Sequence, residues 1–164
     1  WPNRIEANRV SSNIAATIDI LPTIAEVTGS DLPMKKIDGK SVWKIWTGDS
    51  DQSPHEAYFF YYRRNDLHGV RYKNWKLYFP HKYRSLNGKP AGMDAYQAKY
   101  DMNELKKIEL YDLSADISET TDVAQQNPDV VEKIKSLADD MRNELGDGLY
   151  QIEGSENRPI GTLD

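Results

Sequence analysis

The stretch that most constrains the fold is LHGVRYKNWKLYF, residues 67–79. Two runs with period-two alternation flank Lys73-Asn74. Such alternation reads as half-buried strand, and a two-residue connection reads as a tight hairpin. Asn74 suits that loop because Asn tolerates the positive φ it requires. With this turn, Tyr72 faces Trp75, Val70 faces Leu77 and His68 faces Phe79 on a largely apolar face. On the other face Arg71 lies opposite Lys76, and Gly69 opposite Tyr78. Opposed cations destabilise a sheet unless an anion intervenes. Arg71 and Lys76 are therefore expected to pair with an internal carboxylate, with Asp112 on a later strand the obvious candidate.

The hairpin needs neighbours to bury its apolar face. AYFFYYRR (Ala57–Arg64) and IELYDL (Ile108–Leu113) read as further strands. Asp129–Leu145 reads as the clearest helix. Pro128 stands near its start, Gly146 ends it, and Val130, Ile134, Leu137, Met141 and Leu145 form its apolar stripe. An earlier helix is expected over Asp19–Thr28, capped by Thr17, with Pro22 tolerated near its first turn and Gly29 as the stop. A turn is expected at Asp38-Gly39, a short helical turn within Ser41–Gly48, and a polar connector at Asp49–Pro54. Residues 80–103 read as a long loop, and residues 147–164 as a tail with little pattern. The fold class is α+β: a small, three- to four-stranded antiparallel sheet packed by a long C-terminal helix.

The 164 residues carry a net charge of −5, which argues against nucleic acid as a partner. The charge is segregated. Ala57–Lys89 holds eight Lys or Arg against Asp66 alone, whereas Asp101–Asp147 holds thirteen acids against five bases. The cations beyond Pro80, namely Lys82, Arg84 and Lys89, are candidates for a ligand-facing surface. The chain has no Cys, which excludes disulfides, a thiol nucleophile and Cys-ligated zinc within it. No apolar run approaches the roughly 20 residues of a membrane span, so no membrane partner is expected. His55, His68 and His81 share no metal-ligand spacing, and no GxSxG, P-loop or GxGxxG occurs. Asp112–Asp122 lacks the EF-hand pattern. No complete active site is legible. The opening Trp1-Pro2, without Met, suggests a piece of a longer protein.

Several stretches, in order, resemble the C-terminal portion of type I sulfatases of the alkaline-phosphatase-like superfamily. WPNRIEANRVSSNIAATIDILPTIAEVTG resembles their WPG…S-x-(I/L)-D-L-L-P-T segment, with Asn3 where Gly is usual. KKIDGKSVWKIWTG resembles DG-x-S-(L/F)-x-x-x-L-x-G, and HGVRYKNWKLYF resembles the AVR…K-(W/Y)-K hairpin. ELYDLSADISETTDVAQQNPDVVEKI resembles ELYDLxxDPxExxNLAxxxP, with Ile117 and Asp122 replacing the usual Pro and Asn.

The resemblance implies that residues 1–50 are the C-terminal end of a large α/β sulfatase domain and that 51–164 form an antiparallel-sheet subdomain. It implies a parent enzyme that hydrolyses sulfate esters, possibly of sulfated carbohydrates, in the periplasm or outside the cell. Formylglycine and Ca²⁺ are implied for an N-terminal catalytic domain of the same polypeptide, the main partner, and neither is bound by this chain. His68, His81, Lys82, Arg84 and Lys89 become candidates for a rim facing a sulfated small molecule or glycan. The alternatives are part of a phosphodiesterase or phosphonate hydrolase of the same superfamily, or a non-catalytic module binding sulfated glycans.

Overall fold

The structure is a computed structural model and describes residues 1–157. The chain divides into two compact units, Trp1–Tyr58 and Phe59–Asp164.

In the first unit a 3-10 turn, Thr17–Asp19, leads into α1, Ile20–Thr28. Thr17 is not the cap. Ala16 is extended and occupies that position, and the Asp19 carboxylate reaches back to accept the Ala16 N–H at 2.8 Å. Pro22 is the third residue of α1, where a backbone N–H has no partner within the helix, so its missing donor costs little. Gly29 ends α1 at φ 68°, as expected of a left-handed stop.

Asp19 is fully buried and organises this unit. Besides Ala16 it accepts the Lys40 N–H at 2.9 Å and bonds His55 Nε2 at 2.7 Å. Thr23 extends the knot by donating to the Asp19 carbonyl and accepting the Val42 N–H. The Asp38-Gly39 turn passes so close that a Cβ on Gly39 would collide with the Ile18 carbonyl. A short helix α2, Trp43–Thr47, places Val42 and Ile45 in the same core as Ile14 and Ala25.

The second unit holds a four-stranded sheet in the order β1-β2-β3-β6. Its strands are β1 (Ala57–Tyr62), β2 (Asp66–Tyr72), β3 (Trp75–Tyr78) and β6 (Glu109–Asp112). The hairpin register is the one the sequence dictates, with Val70 opposite Leu77, Arg71 opposite Lys76 and Tyr72 opposite Trp75. The turn chemistry differs: Lys73, not Asn74, takes the positive φ, at 54°. Asn74 instead spends its side-chain amide on Asp112 of β6, at 2.6 Å.

Leu77 continues across to Leu110, so Val70, Leu77 and Leu110 form one fully buried row. α3, Pro128–Leu145, contributes the buried Ile134 and Ala138, one helical turn apart. Burial of a side chain the size of Leu77, Leu110 or Ile134 contributes about 1.5–3 kcal/mol.

Residues 80–103 are not one loop. β4 (His81–Ser85) pairs antiparallel with β5 (Asp101–Leu105) as a separate ribbon. Its apolar-polar alternation is too weak to announce strands, and its partners are some 20 residues apart. A last short pair, β7 (Gly146–Asp147) and β8 (Ile152–Glu153), structures part of the expected tail. The residues from 158 onward lie outside the described part.

Candidate functional site

The sheet assigns the hairpin cations. Register places Tyr111 beside Lys76 and Asp112 beside Trp75. Successive side chains point to opposite faces, so Asp112 is turned away from Lys76. The anion beside Lys76 is Glu119, at 2.6 Å, whose other oxygen accepts the Tyr78 hydroxyl at 2.8 Å. Glu119 adopts φ 55°, an uncommon left-handed conformation for a non-Gly residue. Burial alone would depress the Lys76 ammonium, but its bonds with Glu119 and Tyr78 outweigh this and hold its pKa above the ordinary value. Arg71 donates through Nε to the Lys73 carbonyl. Asp112 accepts from Asn74 and from the Ser114 hydroxyl and backbone. Arg71, Lys76 and Asp112 each have partners within the chain.

The β4–β5 ribbon sorts the remaining cations. Lys82 and Arg84 project from one exposed face, opposite Glu104 and Met102. Neither forms an ion pair among the described residues. Lys89 lies with the other face and pairs with Asp101 at 2.6 Å. Asn87 and Asn103 exchange amide hydrogen bonds beside it.

Where the ribbon meets the sheet there is an open cleft of about 500 Å³. Its cations are Arg63 from the β1–β2 turn, Lys82 from β4 and Lys106 after β5. Its acids are Asp66 and Glu104, and Pro80, Leu105 and Leu149 supply apolar wall. His81 also lines it. The His81 ring stacks on His68 at 3.9 Å, with 27° between planes, and its Nδ1 lies 2.6 Å from the Phe79 carbonyl. His68 is 9% exposed and sits beneath His81, too deep to be a rim residue itself. Burial first, and then the neighbouring His81, lower the pKa of His68. The cleft thus offers a cationic, partly apolar surface suited to holding an anion on a polar scaffold.

A second charged centre is absent from any motif in the sequence. Arg142 on α3 donates through Nε to Asp147 at 2.9 Å and through Nη1 to Asp139 at 2.8 Å. Its guanidinium carbon lies 4.3 Å from the centre of the Phe79 ring and 4.6 Å from that of Tyr150. The one hint in the sequence is helical spacing: Arg142 follows Ile134 and Ala138 at four-residue steps, which puts it on the buried face of α3.

Residues 53–162 match the family model for the C-terminal region of aryl-sulfatase. The chain belongs to that family. Mouse (Mus musculus) steryl-sulfatase is 32% identical over 93 residues, covering 56% of this chain and 15% of its own length. Human (Homo sapiens) arylsulfatase A is 30% identical over 145 residues, covering 84% of this chain and 28% of its own. A solved Bacteroides thetaiotaomicron protein, from a core genetic locus for metabolism of multiple glycosaminoglycans, superposes with a TM-score of 0.66 at 26% identity. That match covers 88% of this chain and 28% of the other. The chain therefore spans less than a third of these relatives. This sulfatase C-terminal region is a mixed α+β structure, and its structural neighbours are sulfatases of the alkaline-phosphatase-like fold.

The chain contains no Cys and no Ser followed by x-Pro-x-Arg that could become formylglycine. Among the described residues, no three His, Asp or Glu side chains gather as a metal site.

Proposed function

We propose that this chain is the C-terminal region of an enzyme that hydrolyses sulfate esters, and that it shapes the edge at which the substrate is held. The nucleophile and any Ca²⁺ belong to an N-terminal catalytic domain of the same polypeptide. The observation that carries the reading is the cleft at the root of the β4–β5 ribbon, which Arg63, Lys82 and Lys106 line together with His81. Sulfate esters stay anionic at every physiological pH. Arg63, Lys82 and Lys106 form no ion pair among the described residues, so they offer such esters charge-assisted hydrogen bonds without first breaking one.

Residues 1–50 complete the large α/β domain in this reading. Its support is the outer face of α1, where Ile20, Leu21, Ile24 and Val27 stand exposed. A contiguous apolar stripe of this kind calls for a covering surface.

The test is turnover by the full-length protein on matched aryl and sugar sulfates, phosphodiesters and phosphonates. Release of sulfate as the dominant product is expected. Hydrolysis of phosphodiesters or phosphonates with no sulfate release would overturn the reading.

A further inference from the structure

We propose that His81 is a proton-gated ligand for an oxyanion in the cleft, and that His68 is the residue positioning it. This rests on the substrate-edge reading above and adds to it a pH-dependent contact.

A carbonyl oxygen carries no proton, so the short contact between His81 Nδ1 and the Phe79 carbonyl requires Nδ1 to be the donor. That bond fixes the tautomer. Nε2 is then the nitrogen left to meet a ligand, and His81 lines the cleft. A neutral Nε2 presents a lone pair, which repels an oxyanion. A protonated Nε2 presents an N–H and a full charge, which binds one. Histidine is the side chain that makes this exchange between pH 5 and 8.

His68 makes the exchange selective. It is buried under His81, with Tyr62 at its other side, 5.4 Å between ring centres. Two imidazolium rings stacked at 3.9 Å would repel, so the pair takes up one proton in this range. Burial and the facing His81 lower the pKa of His68, and of the two stacked rings it is His81 that lines the cleft and can meet an anion. The flat His68 ring, stacked on His81, is a wall that stops His81 from swinging off the Phe79 carbonyl.

The groups facing the pair come from every neighbouring element. Arg63, Lys82 and Lys106 are the cations; bound sulfate would offset their opposition to a further charge. Asp66, Glu104 and Asp147 are the acids that favour it. Tyr62, Tyr78 and Tyr83 contribute rings that stay neutral in this pH range.

The test is a titration of the full-length protein labelled with ¹³Cε1-histidine, in sodium sulfate and in sodium chloride of equal ionic strength. His81→Gln assigns the resonance. The expected result is one titrating signal from the pair, with its midpoint about one pH unit higher in saturating sulfate. His68→Phe, which keeps a flat ring, should retain that shift, whereas His68→Leu, of similar bulk without a flat face, should lose it. Equal midpoints in sulfate and chloride overturn the proposal, as does an unchanged sulfate shift in His68→Leu. No turnover enters this measurement. Sulfate-ester hydrolysis without the shift would remove the proposal and leave the functional reading. The shift without hydrolysis would do the reverse.

Discussion

Arg142 and Asp147 form a buried ion pair, 2.9 Å from Nε to the carboxylate, at the point where α3 hands the chain to β7. The pair is only 7% and 0% exposed as whole residues, so neither charge has water to fall back on. Asp147 also accepts the Leu67 and Leu149 backbone N–H groups, tying the end of the helix to the sheet. Removing one partner of a buried pair is costly because the other charge is left stranded. Arg142→Met should lower stability by about 3–5 kcal/mol in chemical denaturation. A loss below about 1 kcal/mol would show that the pair is not a determinant of this fold.

The same logic applies to Asp19 in the first unit. Asp19→Ala strands the Ala16 and Lys40 N–H groups and leaves His55 without its carboxylate. Both N–H groups are part-buried and recover some bonding from water, so a loss of roughly 1–3 kcal/mol is expected. The readout is the rate of proteolytic cleavage within residues 30–56 of the full-length protein. Cleavage as slow as in the wild type would contradict the role given to this carboxylate.

Alkaline pH should unfasten the second unit in a defined window. Burial, reinforced by Asp147, pushes Tyr61 up to about 12, and its hydroxyl donates to the Gly146 carbonyl. Tyr78 is likewise raised by burial, and Lys76 is raised through Glu119 and Tyr78. All three pKa values are higher folded than unfolded. Their stabilisation is therefore full below about pH 10 and disappears as pH climbs through the folded values. Denaturation midpoints should hold steady from pH 7 to 9.5 and fall steeply by pH 12. In Tyr61→Phe the fall should be shallower. An identical alkaline profile in that variant would refute the assignment to Tyr61.

What the sequence revealed followed the strength of local patterning. The β2–β3 register could be written out because one face is apolar and a one-residue slip would invert it. α3 was legible through its stripe and its flanking Pro128 and Gly146. The β4–β5 ribbon was not, because His81, Lys82, Tyr83 and Arg84 give no apolar alternation and pair across a long excursion. Asp112 was a natural choice of partner for Lys76, but strand parity turns it away, and Glu119 comes from a loop with no pattern of its own. His81 and Lys82 were legible as members of a basic segment. Their meeting with Arg63 and Lys106 was not, since it depends on how the ribbon joins the sheet.

Among the ribbon cations the structure makes a sharp distinction. Lys89 is engaged by Asp101, whose carboxyl is held below its usual pKa first by Lys89 and then by Asn87. Lys89→Gln should therefore change substrate binding less than twofold, read as KM in the full-length enzyme. A larger rise in KM would mean that Lys89 leaves Asp101 to meet the substrate.

On the proposed reading, the cleft and the outer ribbon face hold an anionic substrate. The most direct test of that reading is kcat/KM of the full-length enzyme toward a sulfated sugar at low salt, comparing Lys82→Gln/Arg84→Gln with Lys107→Gln. Lys107 is an exposed cation already paired with Asp122, so it serves as a charge control. The double variant should lose about tenfold, mostly in KM, with the loss shrinking as salt rises. The control should lose less than twofold. Equal kcat/KM in the double variant and the wild type at low salt would contradict the account.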